Sequence, residues 1–201
     1  MSIVARWRTG LQVLFVLVES VIQERRNEMK RIEIKVERLT SWELAADCAR
    51  ATVWKDALGR EPSDKFKADL VRCEHSPLRT IIYKVEMYGI PSFVSVHFVR
   101  HKFGVEHFVS SNRADRNGGK TDITRWSPVN HIMVVNAQEL LFMARRRLCN
   151  KASRETQYVM KLIKREVMKV DPIVGKEMIP MCVYRGGVCP EIAPCYEDYI
   201  K

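Results

Sequence analysis

The sequence has no apolar run long enough to cross a membrane, which takes about 20 consecutive apolar residues. The apolar run at 11–18 ends at Glu19, and no small-residue cleavage site follows it. We therefore expect residues 1–30 to form a helical extension ahead of the main domain, not a signal peptide. A helix that lies on a membrane surface is the alternative.

The sequence also lacks a zinc-binding cysteine pattern. Six cysteines are scattered through 201 residues, and the last three, Cys182, Cys189 and Cys195, do not form the C-x2-C pairs that are typical of zinc sites. We expect reduced thiols, a cytoplasmic location and no bound metal. A structural metal that also uses Cys149 is the alternative.

Positive charge, by contrast, is in excess. There are 34 Lys and Arg against 24 Asp and Glu, a formal net charge of +10. Such an excess favours an anionic partner, namely a nucleic acid, a nucleotide or an acidic membrane surface, and charge alone does not choose among them. The 46% of apolar residues and 29% of charged residues are typical of a globular domain with a core.

Apolar periodicity and capping residues predict the elements of this domain. Strands are predicted at 31–38, 80–88 and 131–135. Helices are predicted from a cap at 40–41 to about 54, in a short segment that ends near 71, and from Asn136 to about 168, the last with or without a break near 149. Residues 92–99 fit either a helix or a strand. Residues 173–201 are rich in Pro and Cys, and we expect an irregular tail.

The most distinctive segment is a basic stretch at 98–113. It contains, in order, Arg100, His101, Lys102, Gly104, His107, Ser110, Ser111 and Arg113. Clustered cations repel one another unless solvent or a polyanion lies between them, and guanidinium groups match phosphate oxygens in pairs. The stretch is therefore predicted as a phosphate-binding loop. A solvated basic loop without a ligand is the alternative.

One further cation falls on a predicted apolar face. Leu140, Met143, Ala144 and Leu148 have the spacing of a buried helical stripe, and Arg147 lies on that stripe. Its neighbours 145 and 146 are expected to point outward. A buried Arg is costly unless it is paired. Arg147 therefore extends to solvent, meets an internal carboxylate or holds an anionic ligand, and these three readings stay open.

Taken together, these segments resemble the flavin-dependent thymidylate synthases over residues 31–170. That family has Arg-His-Arg, seven residues and then Ser; here Arg100-His101-Lys102 is followed after seven residues by Ser110. Upstream, the turn at 74–78 (Glu-His-Ser-Pro-Leu) resembles the family's His-x-Ser/Thr-Pro turn in its Ser76-Pro77 pair, although here His75 directly precedes Ser76. Downstream, Asn136-Ala137 is followed by Arg147, eleven residues after the Asn, as in the family.

The sequence also departs from the family pattern. Lys102 replaces the last Arg, which removes the bidentate fork. His107 and Phe108 stand where the family has Asn-Glu. The family serine motif continues with x-Arg, which Ser111 with Arg113 fits after a one-residue insertion, so Ser110 and Ser111 are both candidates. Two helix positions differ as well, with Gln138 for Arg and Phe142 for Asn.

The resemblance implies an α+β fold over residues 31–172, with helices flanking a small antiparallel or mixed sheet and a long C-terminal helix. It implies a homotetramer whose active sites lie between subunits. It also implies conversion of dUMP to dTMP with FAD, with methylenetetrahydrofolate as carbon donor and NADPH as reductant. No stable nucleic-acid or membrane partner is expected.

The resemblance also assigns residues to roles. The cofactor-binding candidates are Arg100, His101, Lys102, Ser76 and Asn136, although Ser76 equally shapes a turn and Asn136 equally caps a helix. The substrate-binding candidates are Ser110, Ser111, Arg113 and Arg147. Arg147, which stabilises charge on the uracil ring, and the two serines are the catalytic candidates. Arg125 is a weaker phosphate candidate, and His75 and His107 are expected to be ordinary loop histidines.

Two other functions stay open. A related enzyme that alkylates a different pyrimidine nucleotide fits the missing Asn-Glu pair, and separate assays with dUMP and dCMP distinguish it. A non-catalytic nucleic-acid-binding protein fits the same basic stretch. Such a protein would be colourless and would bind polynucleotides with a steep salt dependence.

Overall fold

The computed structural model describes residues 31–195 continuously, together with residues 19, 20, 23, 27 and 29. Those five isolated residues have helical backbone; the remainder of the expected extension at 1–30, including its apolar run, lies outside the described residues. Residues 1–32 and 33–201 form separate compact units. No helix in the described part of the chain is long and apolar enough to cross a bilayer.

Four strands form one antiparallel sheet. They are β1 (Glu33–Arg38), β2 (Ile82–Pro91), β3 (Val105–Val109) and β4 (Pro128–Asn136), and their spatial order is β1-β2-β4-β3. Alternate residues of the two central strands face the core, and Val85 lies opposite Met133 with both side chains fully buried. The period of two that predicted the strands therefore marks the face that packs under the helices.

Seven helices in the continuous segment accompany the sheet. They are α1 (Trp42–Ala51), α2 (Asp64–Cys73), α3 (Ser92–Phe98), α4 (Ala137–Arg147), α5 (Arg154–Val170), α6 (Pro172–Glu177) and α7 (Met181–Tyr184). The Ser41 and Asn136 side chains each accept a hydrogen bond from the backbone N–H three residues later, which confirms the two predicted N-caps. The predicted α+β architecture, helices around a small antiparallel sheet, is confirmed.

A buried carboxylate ties the helices to the sheet. Asp171, only 2% exposed, lies between α5 and α6. It accepts hydrogen bonds from the indole of Trp42 at 2.9 Å, the hydroxyl of Tyr83 at 2.8 Å and the guanidinium of Arg38 at 3.3 Å. Burial and the adjacent carboxylate raise the pKa of Tyr83, so its hydroxyl remains a donor. Asp171 thus joins α1, β1 and β2 at one buried point.

Two local expectations are wrong, and one open alternative is decided. The basic stretch is not all loop, because residues 105–109 pair with β4 as an edge strand. The helix that was predicted with or without a break near 149 has the break, because the Ser153 side chain caps a new helix and residues 148–153 form a turn. The tail contains α6 and α7; Pro172 occupies the first turn of α6, where its missing N–H costs nothing. The ambiguous segment 92–99 is mainly the helix α3.

Candidate functional site

Residues distant in sequence meet at a cavity beside the C-terminal half of α4. The cavity has a volume of about 600 Å³. We call it the basic cavity, because most of its charged groups are cations: its wall consists of Arg100, His101, Lys102, Phe103, Glu139, Phe142, Arg146, Arg147, Cys149, Lys151, Ala152 and Glu191. Four of the predicted site residues, at 100–102 and 147, are therefore close together.

His101 lies at the centre of this convergence. Its ring is almost fully buried, its Nδ1 lies 2.7 Å from a carboxylate oxygen of Glu139, and its Nε2 lies 3.2 Å from Nε of Arg147. An arginine Nε–H only donates. His101 Nε2 must therefore accept, and its proton sits on Nδ1, from which it is donated to Glu139. The geometry describes a neutral imidazole between a carboxylate and a guanidinium.

Three cations of the cavity have no ion-pair partner among the described residues. Within the part of the chain that the structure describes, Arg100, Lys102 and Arg147 have no carboxylate within 4 Å. Burial, together with Arg100 and Arg146, lowers the pKa of Arg147. Burial and the positive charges of Arg147, Arg100 and Arg125 likewise lower the pKa of His97. Such a concentration of unpaired positive charge fits an anionic ligand.

A second cavity, of about 510 Å³, adjoins the first. We call it the amide cavity, because Asn136 and Gln138 line it; the other wall residues are Glu74, Arg79, Phe103, Gly104, Glu139, Phe142 and Arg145. Both cavities share Phe103, Glu139 and Phe142. A ligand with two chemically different parts would therefore meet mainly cations in one cavity and amides, aromatic rings and charged groups of both signs in the other.

Arg145, and not Arg147, is the fully buried arginine of α4. Arg145 is 6% exposed, pairs with Glu74 and lies 3.6 Å above the ring of Tyr184, whereas Arg147 is half-buried. The expectation that Arg145 points outward is wrong, because α7 and the residue after α2 cover that side of the helix. Burial alone would raise the pKa of Glu74, but hydrogen bonds from Arg145 and Tyr184 lower it.

Arg145 also has an unused donor. Its Nε is buried and has no hydrogen-bond acceptor among the described residues. Because this atom is shielded from solvent, a ligand in the cavity does not reach it, and the unmade hydrogen bond is an energetic cost of burying Arg145.

Asn136 and Gly104 fix the approach of the basic stretch to α4. The Asn136 side chain caps α4 at 2.9 Å, and its backbone N–H donates to the Gly104 carbonyl at 2.9 Å. Gly104 has φ of +72°, and a Cβ placed there would lie 2.2 Å from Nδ2 of Asn136. Glycine is therefore required at 104 both for its backbone conformation and for the contact with the cap.

A buried histidine chain holds the backbone of His101. His107 Nε2 lies 2.8 Å from the His101 carbonyl, His107 Nδ1 lies 2.9 Å from His131 Nε2, and His131 Nδ1 lies 3.0 Å from Ser95 Oγ. The carbonyl only accepts, so with both rings neutral the hydroxyl of Ser95 donates to His131, which donates to His107. Burial, and to a lesser extent His107, lowers the pKa of His131 to about 4.

The hydrogen-bonded series from Ser95 through His131 to His107 was not predicted, and the expectation of a loop histidine at 107 is wrong. His107 lies on β3, where pairing with β4 brings it beside the core-facing row of that strand. A polar residue at a core-facing position of β4, His131, was the available signal in the sequence.

The remaining predicted residues line neither cavity. Ser110 accepts a hydrogen bond from the backbone N–H of Asn130 at 2.9 Å, so it continues the sheet edge. Arg113 makes two hydrogen bonds to Asp115, both at 3.0 Å. Ser111 accepts from the backbone of Arg113. Within one chain, these side chains are satisfied locally.

Two other candidates also lie outside the two cavities. Ser76 begins the 3₁₀ turn Ser76–Thr80. The Arg125 guanidinium lies 4.5 Å from the ring centre of Phe93. All six cysteines are free thiols, and no three His, Cys, Asp or Glu side chains of the described residues are placed to hold a metal ion.

Comparisons with known proteins identify the fold. No family model matches the sequence, and the search of curated proteins finds no match to it; solved structures do match. Thymidylate synthase X (ThyX) from Helicobacter pylori, solved with FAD and dUMP, is 15% identical, with a TM-score of 0.59 over 73% of this chain and 99% of that one. A second structure of flavin-dependent ThyX from Helicobacter pylori, complexed with FAD and dUMP, is 14% identical with a TM-score of 0.60 over the same shares.

A further match is the UMP/dUMP methylase PolB from Streptomyces cacaoi, bound with 5-Br dUMP. It is 14% identical, with a TM-score of 0.56 over 73% of this chain and 94% of that one. At these identities the likeness establishes the fold alone. The chain has the fold of flavin-dependent thymidylate synthases, as the resemblance in the sequence implied.

Proposed function

We propose that this chain is a flavin-dependent enzyme that methylates a pyrimidine nucleotide, with conversion of dUMP to dTMP as its reaction. The supporting observation is the convergence of Arg147 with Arg100, His101 and Lys102 at one cavity, although 46 residues separate His101 from Arg147. The shared fold with proteins solved with FAD and dUMP adds to it.

The two cavities fit the proposed ligands. Their volumes, about 600 and 510 Å³, lie in the range of small-molecule sites. The unpaired cations suit phosphate groups. The amides of Asn136 and Gln138 and the flanking Phe103 and Phe142 rings suit a planar heterocycle with carbonyl oxygens, as in a flavin or a uracil.

FAD, when bound, would supply the one-carbon transfer and hydride chemistry, with methylenetetrahydrofolate as carbon donor and NADPH as reductant. The residues of this chain bind, orient and polarise. Arg100 and Lys102 would hold flavin phosphates, with the His101 ring beside them. Arg147 would donate from its terminal nitrogens to a pyrimidine carbonyl and so stabilise negative charge on the ring. Ser76 and Asn136 are further cofactor-binding candidates in this proposal.

The proposal includes a homotetramer whose subunits complete each other's sites. Ser110, Ser111 and Arg113 line neither cavity of their own chain, so a role in holding the nucleotide phosphate requires a neighbouring subunit. Phe103, just before the edge strand β3, and Phe108, on that strand, are 87% and 60% exposed. Such apolar surface at a sheet edge is the kind that assembly covers.

UMP is the second candidate substrate. It is favoured by the fold match to a UMP/dUMP methylase and by His107 and Phe108, which replace the family's Asn-Glu. We propose a cytoplasmic location in either case, because the six free thiols fit a reducing compartment.

Two measurements test the proposed function. An absorbance scan of the purified protein, before and after addition of FAD, should show bound flavin. Incubation with FAD, NADPH and methylenetetrahydrofolate should then methylate dUMP, with UMP and dCMP tested separately. Turnover of UMP or dCMP alone would replace the proposed substrate. A protein that binds no flavin, but binds polynucleotides with a steep salt dependence, would overturn the enzyme assignment.

A further inference from the structure

Two carboxylates line the basic cavity, and both oppose anion binding by their charge. Glu191 lies 3.5 Å from Arg146 and so offsets a cation directly. Glu139 is different, because its contact among the described residues is the ring of His101 and not a cationic side chain. The negative charge of Glu139 by itself weakens anion binding in the cavity. A favourable contribution of Glu139 must therefore pass through His101.

The hydrogen bonds show how it acts. Arg147 donates from Nε to Nε2 of His101, which requires an unprotonated Nε2. The 2.7 Å contact between His101 Nδ1 and Glu139 holds the proton on the other nitrogen. If the proton moved to Nε2, two N–H groups would face each other and the contact with Arg147 would be lost.

We propose that Glu139 is a positioning residue for Arg147. It fixes His101 as the Nδ1–H tautomer, and the Nε2 lone pair then holds the Arg147 guanidinium at the cavity wall. With Nε occupied in this way, both terminal nitrogens of Arg147 remain for a ligand. The identity of that ligand as a pyrimidine nucleotide rests on the proposed function, whereas the relay itself rests on the geometry.

Both ends of the relay are held in place. The Glu139 backbone N–H donates to the Asn136 side chain at 2.9 Å in the first turn of α4, and the Glu139 side chain is only 13% exposed. The His101 carbonyl accepts the hydrogen bond from His107 at 2.8 Å. These two contacts fix the backbone positions from which the carboxylate and the imidazole project, and the burial of both side chains limits their rotation, so the relay is pre-organised.

Paired variants test the proposal, because a pure charge effect and a positioning role predict opposite changes in anion affinity when Glu139 is replaced. Dissociation constants of dUMP and of inorganic pyrophosphate would be measured calorimetrically for Glu139→Leu and for Glu191→Gln. Removal of either negative charge should tighten anion binding by Coulomb's law. We expect Glu191→Gln to tighten binding of both ligands and Glu139→Leu to weaken it about tenfold. Equal or tighter binding by Glu139→Leu would overturn the proposal.

A double-mutant cycle tests whether Glu139 affects ligand binding through Arg147. In an Arg147→Ala background, Glu139→Leu should cause no further weakening, because the group it positions is gone. Additive losses would contradict positioning through Arg147. If Glu139→Leu does not fold, Glu139→Gln takes its place, with a smaller loss expected because a neutral amide oxygen still accepts from Nδ1; unchanged or tighter binding by that variant would also overturn the proposal.

A spectroscopic readout is independent of any ligand. Nitrogen-15 spectra of histidine-labelled protein, with His101 assigned by a His101→Asn variant, should show protonation at Nδ1 in the unmodified chain and a tautomer mixture in Glu139→Leu. An unchanged tautomer would refute the relay. Absence of dUMP turnover, together with Glu139-dependent pyrophosphate binding, would refute only the proposed function. Normal dUMP turnover with unaltered binding by Glu139→Leu would refute only the positioning role.

Discussion

Replacement of Arg147 by Ala separates ligand binding from folding at this site. Both terminal nitrogens of Arg147 lack an acceptor within the described chain, and each charge-assisted hydrogen bond to a ligand contributes about 1.5–3 kcal/mol. Loss of two such bonds should cost about 3 kcal/mol or more, so we expect dUMP to bind at least about 100-fold more weakly.

The same substitution should hardly affect stability. It removes the single hydrogen bond to His101, worth about 1 kcal/mol. It also removes a charge that the fold disfavours, since burial and the charges of Arg100 and Arg146 lower the pKa of Arg147. These two effects oppose each other. The melting temperature should therefore stay within about 4 °C of the unmodified protein.

The assay is calorimetric titration with dUMP, combined with thermal unfolding. Arg146→Ala is the matched control, because the Arg146 side chain is exposed, lies 5.7 Å from the ring centre of Phe142 and pairs with Glu191. This control removes the same charge from the same cavity and should weaken binding no more than about fivefold. If Arg147→Ala binds dUMP as Arg146→Ala does, the assigned role of Arg147 is wrong.

Three further predictions concern the scaffold. Gly104→Ala should lower stability by about 2–3 kcal/mol, because it adds backbone strain and displaces the Asn136 cap of α4. The control is Gly118→Ala, which is also at positive φ but has no atom within 4 Å, and it should cost about 1–2 kcal/mol in the same melting assay. Equal losses in the two variants would exclude the clash between a Cβ at position 104 and Asn136. Asp171→Ala should lower the free energy of unfolding in urea by about 3–5 kcal/mol, because the buried Trp42 and Tyr83 donors lose their acceptor. Asp115→Ala, at an exposed aspartate, should change it little. Similar values for the two variants would contradict the role of Asp171 as a buried acceptor. The folded-state pKa of His131, about 4, lies below the ordinary value of 6.5, so its stabilising contribution is present above pH 6.5 and is lost as the pH falls towards 4. Urea unfolding at about pH 7 and pH 5 should differ by about 2 kcal/mol more in the unmodified chain than in His131→Asn, and the absence of that difference would contradict a buried neutral ring.

Much of the fold was predictable because local chemistry specified it. Alternation of apolar residues marked β1, β2 and β4, and side-chain caps marked the starts of α1 and α4. The edge strand β3 was missed because its exposed Phe108 and Val109 obscure the alternation. Pairing with β4 makes this segment a strand, and a single segment does not reveal its pairing partner.

The candidate site was predictable in part for the same reason. The resemblance to the flavin-dependent thymidylate synthases implied that the basic stretch and Arg147 belong together, and residues 100–102 and 147 line one cavity. The roles assigned to them remain predictions. Ser110, Ser111 and Arg113 line neither cavity of the single chain, and their assigned role depends on a neighbouring subunit that the sequence does not describe.

The sequence by itself determined β1, β2 and β4, the starts of α1 and α4 and the buried face of the sheet, because each depends on periodicity or capping within a segment. The group of cations that meets at α4 was implied by the resemblance of separate segments to one family. The tertiary structure alone decided that Arg145 is the buried arginine, that His101 takes its proton at Nδ1 between Glu139 and Arg147, and that His107 and His131 hold its backbone. The physical reason is that burial and proton position depend on which groups lie opposite, and those groups come from other elements of the chain.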